Sequence, residues 1–383
     1  MTDWRDEFPG LRGRIYLNTA AGSCLGRTVA GALQQYTEEK LQGAITPTEM
    51  QEVEADCRQR VAAFIGCSAP EIALLPSTTE CVNAILFGLP WETGDNLVVT
   101  DLEFPSSIIA CLHLGRRFGV DVRLVRHTGG VVTPAAIAAH VDDRTRLVVI
   151  SHVSYRSGYR ADLDAVADCA HAHGALLLVD ASQSVGAVPL EVGAVDFIAA
   201  CTRKWLLATH GLAFLYCRQD RLDALQPFYA GWRGTVNPPS AVNTLDYTFH
   251  DDARRFETGL LDYTAVYTLH AALGFLHRVG MPYITERVLD LSGQVHDVLA
   301  GLGITPLTPR DPQQRAGIVS FETPHYQQIG DALQAAEVHV WAKEGRVRIS
   351  PHFYNTGADV DACRAALRRA GQTALLSESR AQA

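Results

Sequence analysis

Residues 175–183 read Ala-Leu-Leu-Leu-Val-Asp-Ala-Ser-Gln, an apolar run that ends in an acid. A continuous apolar run of this length is typical of a strand buried on both faces of a parallel sheet. Asp180 then lies at the strand's carboxyl end, the edge at which open α/β sheets bind their ligands. Taken alone, Asp180 is more simply explained as a helix cap or a turn residue, since aspartate favours both positions.

The next apolar run ends in a lysine: residues 195–205 read Val-Asp-Phe-Ile-Ala-Ala-Cys-Thr-Arg-Lys-Trp. Burial lowers the pKa of a lysine and makes its amine nucleophilic toward an aldehyde, although a surface lysine that extends its charge into water is the alternative. Asp180 and Lys204 together suit pyridoxal phosphate. The acid would keep the pyridine nitrogen protonated, and the lysine would hold the aldehyde carbon as a Schiff base.

Short β-rich runs alternate with helical patterns as far as residue 217, which predicts an α/β fold with a mostly parallel sheet flanked by helices. The predicted strands are 96–100, 120–125, 146–153, 175–179, 195–199 and 212–217. A helix over 162–171, ended by Gly174, is the expected crossover between two of them. Residues 231–254 predict a long loop because Gly, Pro and polar residues break the pattern there.

The C-terminal part predicts a smaller α+β domain, from apolar runs at 316–321 and 338–341, a strand at 346–350 and a helix over 359–369. We expect four segments in the chain. They are 1–18, an N-terminal segment that joins the small domain; 19–250, a large cofactor-binding domain; 251–375, the small domain; and 376–383, a frayed tail.

Composition indicates a globular protein with a small-molecule partner. The chain has 383 residues, 47% of them hydrophobic, and a formal net charge of −9 with both signs interspersed. We therefore expect neither nucleic-acid nor membrane binding. Early charged residues and the lack of an apolar run of ~18 residues predict a cytoplasmic protein. Nine scattered cysteines without a Cys-x-x-Cys pair predict neither disulfides nor a metal site.

Six motifs, in order along the chain, carry a family resemblance. They are Tyr-Leu-Asn-Thr-Ala-Ala at 16–21, Ser-Thr-Thr-Glu at 77–80, Ser-His-Val-Ser at 151–154, Asp-Ala-Ser-Gln at 180–183, Arg-Lys-Trp at 203–205 and Arg-Ile-Ser-Pro-His-Phe-Tyr-Asn-Thr at 348–356. Over nearly its whole length the chain resembles the class V aminotransferase family of fold-type I pyridoxal-phosphate enzymes. That family includes cysteine desulfurases, selenocysteine lyases, isopenicillin-N-epimerase-like proteins and cysteine-conjugate C–S lyases.

The resemblance implies a role for each matching residue, with Lys204 as the catalytic residue. The implied cofactor contacts are Thr78 and Thr79 at the phosphate, Arg203 near it, Phe104 stacked on the ring, Gln183 at the phenolic oxygen, and Ser154, Asp180, Thr202 and Lys204. The implied substrate contacts are Asn18, Tyr155, Trp341 and Arg348. Arg348 would bind the substrate carboxylate through its planar fork, and Arg346 on the same strand face is the fallback.

Two departures from the family pattern bear on the reaction. Desulfurases carry a catalytic cysteine shortly before the carboxylate-binding arginine, whereas residues 315–348 contain none. Leu260 replaces a threonine that reaches the partner's phosphate in the family's dimers, so this contact is in question, although we still expect a homodimer with contacts near residues 232–255 and the site at the subunit interface.

With desulfuration disfavoured, the sequence favours β-elimination from a cysteine S-conjugate in a biosynthetic pathway. Lys204 would serve as the base for the α-proton. An aminotransferase, a decarboxylating enzyme and an epimerising enzyme are the alternatives, and an epimerase would need Tyr155 or His352 as a second acid. A non-catalytic cofactor-binding sensor is disfavoured, because no segment is left for a DNA-binding or docking module.

Overall fold

The computed structural model describes residues 4–236 and 246–381, with side chains as far as Gly371 in the last helix. Its helices are α1 (Arg27–Leu41), α2 (Pro47–Ile65), α3 (Thr78–Gly88), α4 (Pro105–Phe118), α5 (Pro134–Ala138), α6 (Leu163–His171), α7 (Tyr263–Val279), α8 (Met281–Gly301), α9 (Tyr326–Ala335) and α10 (Gly357–Ala381). Its strands are β1 (Ile15–Tyr16), β2 (Ile72–Leu75), β3 (Asn96–Thr100), β4 (Asp121–Val125), β5 (Thr145–Ser151), β6 (Leu176–Asp180), β7 (Phe197–Cys201), β8 (Ala213–Cys217), β9 (Val319–Glu322), β10 (Val338–His339), β11 (Trp341–Lys343) and β12 (Arg346–Ile349).

Among the described residues, the central sheet has seven strands in the order β2-β8-β7-β6-β5-β3-β4. The strands from β4 to β7 run parallel, whereas β8 is antiparallel to both β7 and β2. Helices cover both faces, which confirms the predicted α/β class. Because β5, β6 and β7 are parallel, their carboxyl ends lie together at one edge of the sheet.

The crossover from β5 to β6 shows why the chain folds this way locally. Asp162 caps α6 by accepting a hydrogen bond from the backbone N–H of Ala165, at 3.1 Å. Gly174 follows the helix with φ +74°, a left-handed conformation that favours glycine. The cap and the glycine fix the two ends of the connection, and the chain re-enters the sheet as β6.

A second, smaller sheet of β11, β12 and β9 is antiparallel. The N-terminal segment reaches this region, since β1 pairs in parallel with β10 and Asn18 bridges to Ser350. Leu17 lies in the same hydrophobic core as Phe321, Val347 and residues of α8, α9 and α10. The domain boundaries nevertheless stay a prediction, because α7 packs against α1 and α2 in the main core.

Most predicted elements match the structure, with ends that differ by one or two residues. The six predicted strands correspond to β3 through β8, while the run at 338–341 divides into β10 and β11. The predicted loop at 231–254 forms no α-helix or extended strand where it is described, only short 3-10 turns at Trp232–Gly234 and from Ala253, and residues 237–245 lie outside the described residues. The predicted tail is helical as far as Ala381, as the end of α10.

Candidate active site

Lys204 and Asp180 line one cavity of about 210 Å³ at the carboxyl edge of the central sheet. Asp180 ends β6, and Lys204 lies three residues beyond the end of the neighbouring strand β7. The same cavity is lined by Ser77, Thr78 and Thr79 at the start of α3. The structure therefore brings together the two residues on which the sequence argument depends.

The Lys204 side chain is almost completely enclosed, with 8% of the residue exposed. Burial lowers the pKa of Lys204 below its ordinary value, while the nearby charges of Cys201 and Asp180 act in the opposite direction. The other two lysines of the chain, Lys40 and Lys343, are exposed. Because a lowered pKa leaves more of the amine unprotonated, Lys204 is the lysine suited to react with an aldehyde.

The turn that carries Lys204 is held against a glycine. A Cβ built on Gly186, which has φ +90°, would stand 2.4 Å from the backbone oxygen of Trp205, a distance that no side chain tolerates. Leu207 closes the turn in the left-handed region, with φ 64°, and its N–H donates to the carbonyl of Lys204 at 3.1 Å. A buried leucine in this conformation is strained, so the surrounding packing must hold the turn.

Backbone and hydroxyl donors converge beside Asp180, at the end of the cavity near α3. The N–H of Ser182 donates to Asp180 Oδ1 at 2.8 Å, and Ser182 Oγ lies 3.1 Å from Thr78 Oγ1. Ser77 caps α3 by accepting from the N–H of Glu80. An anion is stabilised at such a helix N-terminus, which supports the predicted phosphate contacts of Thr78 and Thr79.

Gln183 and Arg203 also line the cavity, and both hold it to the N-terminal segment. Gln183 donates from Nε2 to the carbonyl of Ala20 at 3.0 Å and accepts from the indole N–H of Trp205 at 2.9 Å. Arg203 donates to the carbonyl of Ala21. The predicted contacts of Gln183 and Arg203 with the cofactor stay predictions.

Thr202 and Ser154 are not among the residues that line this cavity. Thr202 Oγ1 donates to the carbonyl of Leu212 at 2.9 Å, within the turn that leads to β8. Ser154 Oγ accepts from the N–H groups of Arg156 and Ser157. Both hydroxyls thus stabilise turns, and their predicted contacts with the cofactor stay predictions.

Phe104 and Tyr155 form an aromatic wall on the side of the cavity that holds Lys204. Their rings make an edge-to-face contact with centres 5.2 Å apart, and the Phe104 ring centre is 5.8 Å from Lys204 Nζ. Phe104 is 44% exposed. A phenylalanine here can stack on a cofactor ring, but it cannot transfer a proton.

Arg348 adjoins this wall from the small sheet. It donates from Nη1 to the carbonyl of Tyr155 at 3.1 Å, and the Trp341 ring centre lies 5.1 Å from its guanidinium carbon. Burial, and after it the charge of Arg346, lower the pKa of Arg348 to about 10. At neutral pH Arg348 is therefore a buried cation beside the cavity, as a carboxylate-binding residue requires.

Asn18 also approaches this region through its backbone bridge to Ser350, the residue that follows β12, the strand that carries Arg348. Its Oδ1 is buried and has no hydrogen-bond partner within the part of the chain that the structure describes. A buried acceptor left open in this way favours a ligand that donates to it. The predicted substrate contact of Asn18 fits this observation.

His352, named from the sequence as a possible second acid, has both ring nitrogens engaged by the backbone. Its Nδ1 accepts from the N–H of Phe353 at 2.8 Å, and its Nε2 lies 3.1 Å from the carbonyl of Trp205. Burial lowers the pKa of His352 to about 4. The side chain therefore fixes the backbone next to Lys204 and is not placed to exchange protons with a substrate.

Sequence reasoning missed Ser182, which joins Thr78 to the end of β7, where its Oγ accepts from the N–H of Cys201. It also missed Glu103, a fully buried acid beside Ser151. Glu103 directly precedes Phe104, and an acid between apolar residues was the available signal.

The cavity fits pyridoxal phosphate by the chemistry of its lining. Lys204 supplies an amine for the aldehyde, Asp180 an acid for the pyridine nitrogen, Thr78 and Thr79 donors for the phosphate, and Phe104 an aromatic face. Together with the doubly covered parallel sheet, this lining defines a pyridoxal-phosphate enzyme of fold type I.

Comparison with known proteins gives the family. The family model "Aminotransferase class-V" matches residues 15–368, and the chain belongs to that family of pyridoxal-phosphate-dependent enzymes. A probable cysteine desulfurase of Methanothermobacter thermautotrophicus is 33% identical over 94% of this chain and 95% of its own length. An uncharacterized aminotransferase, YcbU, of Bacillus subtilis is 31% identical over 92% of this chain and 93% of its own.

Among solved structures, the chain is similar to the cystine C–S lyase C-DES in complex with its reaction product cysteine persulfide. The TM-score is 0.86 and the identity 25%, over 94% of this chain and 98% of that one. No helix within the described residues is long and apolar enough to cross a membrane. The cytoplasmic location stays a prediction.

Proposed function

We propose that this enzyme is a lyase that eliminates a thiol from a cysteine S-conjugate and releases an aminoacrylate, which water hydrolyses to pyruvate and ammonia. The observation that carries the proposal is that a buried lysine of lowered pKa and a buried arginine adjoin one cavity, while residues 315–348 contain no cysteine. The site thus offers a base and a carboxylate anchor without the sulfur acceptor that desulfuration needs. The name of the structural neighbour C-DES, a cystine C–S lyase, supports the same reaction class.

The substrate binds first through its carboxylate. Arg348 presents a guanidinium fork beside the Phe104 and Tyr155 wall, and two parallel charge-assisted hydrogen bonds to a carboxylate fix its position and orientation. The Asn18 Oδ1 acceptor is buried nearby and suits a donor on the substrate. This grip holds the amino acid with its α-carbon in a fixed direction relative to Lys204.

Pyridoxal phosphate, when bound, supplies an electron sink next to the α-carbon. Lys204 Nζ takes the α-proton, since its lowered pKa leaves the amine able to accept one near neutral pH. The protonated amine then becomes the proton donor for the leaving sulfur. Phe104 closes the cavity beside Lys204 and adds no competing acid.

The cysteines in the described structure are poorly suited to accept sulfur. Burial raises the pKa of Cys24, which interacts with Tyr16, to about 11. Cys363 lies buried in α10, and its pKa is raised to about 12. A thiol with so high a pKa stays protonated and is a weak nucleophile. Cys201 lines the cavity, but it ends the rigid strand β7 and is not on a mobile loop.

Epimerisation is less well supported than elimination. It requires a second acid on the face opposite Lys204. Tyr155 contacts Phe104 on the side of the cavity that holds Lys204, and both ring nitrogens of His352 already contact the backbone. Phe104 has no proton to give. Lys204 alone is sufficient for an elimination, in which one group removes and returns a proton on one side of the substrate.

The proposal includes a homodimer with the active site at the subunit interface. Phe228, Tyr229, Trp232 and Leu260 are exposed, and we call these four residues the apolar face. Three of them line a groove of about 540 Å³ that also contains Pro76. Pro76 lines the cofactor cavity as well, so a second copy on the apolar face reaches the edge of the active site.

Pyruvate release tests the reaction. Purified enzyme with cofactor is incubated with cysteine S-conjugates and no α-keto acid, and pyruvate, ammonia and free thiol are measured. Elimination predicts the three products in equal amounts through many turnovers. If turnover stops after one equivalent unless an α-keto acid is added, the enzyme is an aminotransferase. If cysteine yields alanine and transferable sulfur, it is a desulfurase and the lyase proposal fails.

A further inference from the structure

One side of the small sheet packs into the hydrophobic core. The other side is polar and adjoins the active site, and we call it the polar face. On it, Trp341 lies opposite Arg348, and Arg348 opposite Ser320; Lys343 lies opposite Arg346, and Arg346 opposite Glu322. Alternation along the strands places all six residues on one side. The intervening residues of β9 and β12 face the other way and belong to the core of the small sheet.

Two arginines are buried on this polar face. Arg346 and Arg348 are each 4% exposed, and each keeps a buried nitrogen, Nη1 and Nε respectively, without a hydrogen-bond partner within residues 4–236 and 246–371. The Ser320 hydroxyl beside Arg348 is also buried and has no hydrogen-bond partner within the same residues. Unpaired buried donors are unfavourable in the free protein, and three on one face indicate a ligand that accepts from them.

The protein supplies little negative charge to this pair. Arg346 Nη2 lies 3.1 Å from Glu344, but that glutamate side chain is 68% exposed and reaches the arginine from the solvent side. Glu322 lies 3.1 Å from Arg156 instead. With Lys343 at the rim, four cations face two carboxylates, so the polar face holds an excess of positive charge next to the substrate position.

Both guanidinium groups lie near the Trp341 ring, and that of Arg346 also lies near Tyr155 of the aromatic wall. The guanidinium carbons of Arg346 and Arg348 are each 5.1 Å from the Trp341 ring centre, and that of Arg346 is 5.5 Å from the Tyr155 ring centre. Tyr155 in turn contacts Phe104 beside Lys204. When the α-carboxylate of a substrate binds Arg348, the side chain of that substrate can therefore reach Arg346.

We propose that Arg346 binds a second acidic group, so that the substrate is an amino acid whose side chain ends in a carboxylate. If the enzyme is the proposed lyase, this substrate is a cysteine S-conjugate with an acidic substituent on sulfur. Only the leaving sulfur rests on the lyase proposal. Arg348 holds the α-carboxylate and Arg346 the distal one. The open Nη1 of Arg346 and the exposed, displaceable position of Glu344 serve this contact.

The test compares two substrates that differ only in this charge, S-carboxymethyl-L-cysteine and its neutral amide, S-carbamoylmethyl-L-cysteine. The wild-type enzyme is expected to favour the acid at least ~10-fold in kcat/KM, as one charge-assisted hydrogen bond warrants. In Arg346→Gln the ratio falls to near one. Lys40→Gln, which removes an exposed cation near the end of α1, away from the small sheet, keeps the wild-type ratio. A wild-type ratio near one overturns the inference, whether or not the variants fold.

Binding without turnover separates this inference from the lyase proposal. Glutamate and glutamine are titrated into the wild-type holoenzyme and Arg346→Gln, and the visible spectrum of the cofactor reports binding. Suppose that no conjugate yields pyruvate, but glutamate binds ~10-fold more tightly than glutamine and only in the wild type. The lyase then fails and the acidic-side-chain inference stands. Pyruvate formed equally from the acid and the amide keeps the lyase and refutes the second anion site.

Discussion

Ser151 donates a 2.6 Å hydrogen bond from Oγ to Oε2 of Glu103, directly behind the cofactor cavity. Thr100 donates to the other carboxyl oxygen at 2.8 Å. In the sheet, Ser151 lies opposite Asp180, so Glu103 is a second acid close to the one expected at the pyridine nitrogen. Burial raises the pKa of Glu103 to about 7, although these hydrogen bonds act to lower it.

This raised pKa predicts that Glu103 makes the protein less stable as pH rises from about 4.5 to 7. In that range the folded protein retains a proton that the unfolded chain has lost, so the free energy of unfolding falls with pH, by up to about 3 kcal/mol for this one group. Glu103→Gln removes the contribution. Thermal unfolding of both proteins from pH 5 to 8 should show a gain for the variant that grows with pH; parallel curves would contradict the prediction.

Lys204→Ala should abolish both cofactor attachment and turnover, because the amine that bonds the aldehyde is lost. Borohydride reduction of the wild type should fix the cofactor to the peptide that contains Lys204, as mass spectrometry of a digest would show. With only three lysines in the chain, the assignment is unambiguous. Lys40→Ala, at an exposed site, is the matched control and should retain the cofactor and its visible absorbance band.

Asp180→Asn should lower kcat by about 10²-fold or more while the fold is kept, because the neutral amide cannot hold the pyridine nitrogen protonated. The amide oxygen can still accept from the Ser182 N–H, so the local turn survives. Steady-state rates, cofactor content and the unfolding temperature give the three readouts. Asp143→Asn, with a 94% exposed side chain, should change none of them. A variant with normal kcat would exclude this role for Asp180.

Arg348→Lys should raise KM about 10- to 100-fold with a smaller effect on kcat, since an ammonium group cannot form the two parallel hydrogen bonds of a guanidinium fork. Steady-state kinetics with the amino-acid substrate measure the split. Arg364→Lys, an exposed arginine of α10, provides the control. An unchanged KM would mean that the carboxylate binds elsewhere.

Tyr229→Asp should convert the proposed dimer to monomer, because it places a charge on the apolar face, where the tyrosine is 70% exposed. Light scattering after gel filtration measures the mass. Leu41→Asp changes an equally apolar, exposed residue at the end of α1 and should leave the mass unchanged. A wild-type chain that is itself monomeric would refute the dimer.

The alternation of strands and helices was readable because buried parallel strands are continuous apolar runs. β3 has the predicted bounds, Asp180 ends β6, and Lys204 follows the end of β7 by three residues, so both line the cavity at the carboxyl edge of the sheet. β2 was missed because four residues bounded by a proline resemble a loop, and only pairing with β8 makes them a strand.

The directions of individual side chains were not readable in the same way. Thr202 and Ser154 lie in segments that border the cavity, as expected, but their hydroxyls form hydrogen bonds with nearby backbone groups. Ser182 is identified only in three dimensions, by its hydrogen bond to the end of a neighbouring strand, and the bond from Ser151 shows what the buried acid Glu103 contacts. Sequence patterns predict which segment reaches a site, whereas local hydrogen bonding decides which atom faces it.

The pairing of β1 with β10 also has a consequence for how the chain matures on the ribosome. Ala20 and Ser350 are hydrogen-bonded although they are 330 positions apart, and β12 carries both buried arginines. The strands of the central sheet all lie between residues 72 and 217, whereas β12 follows at 346–349, so the substrate-binding half must wait for almost the entire chain. The residues that line the cofactor cavity, all between positions 76 and 212, are therefore synthesised well before Arg346 and Arg348.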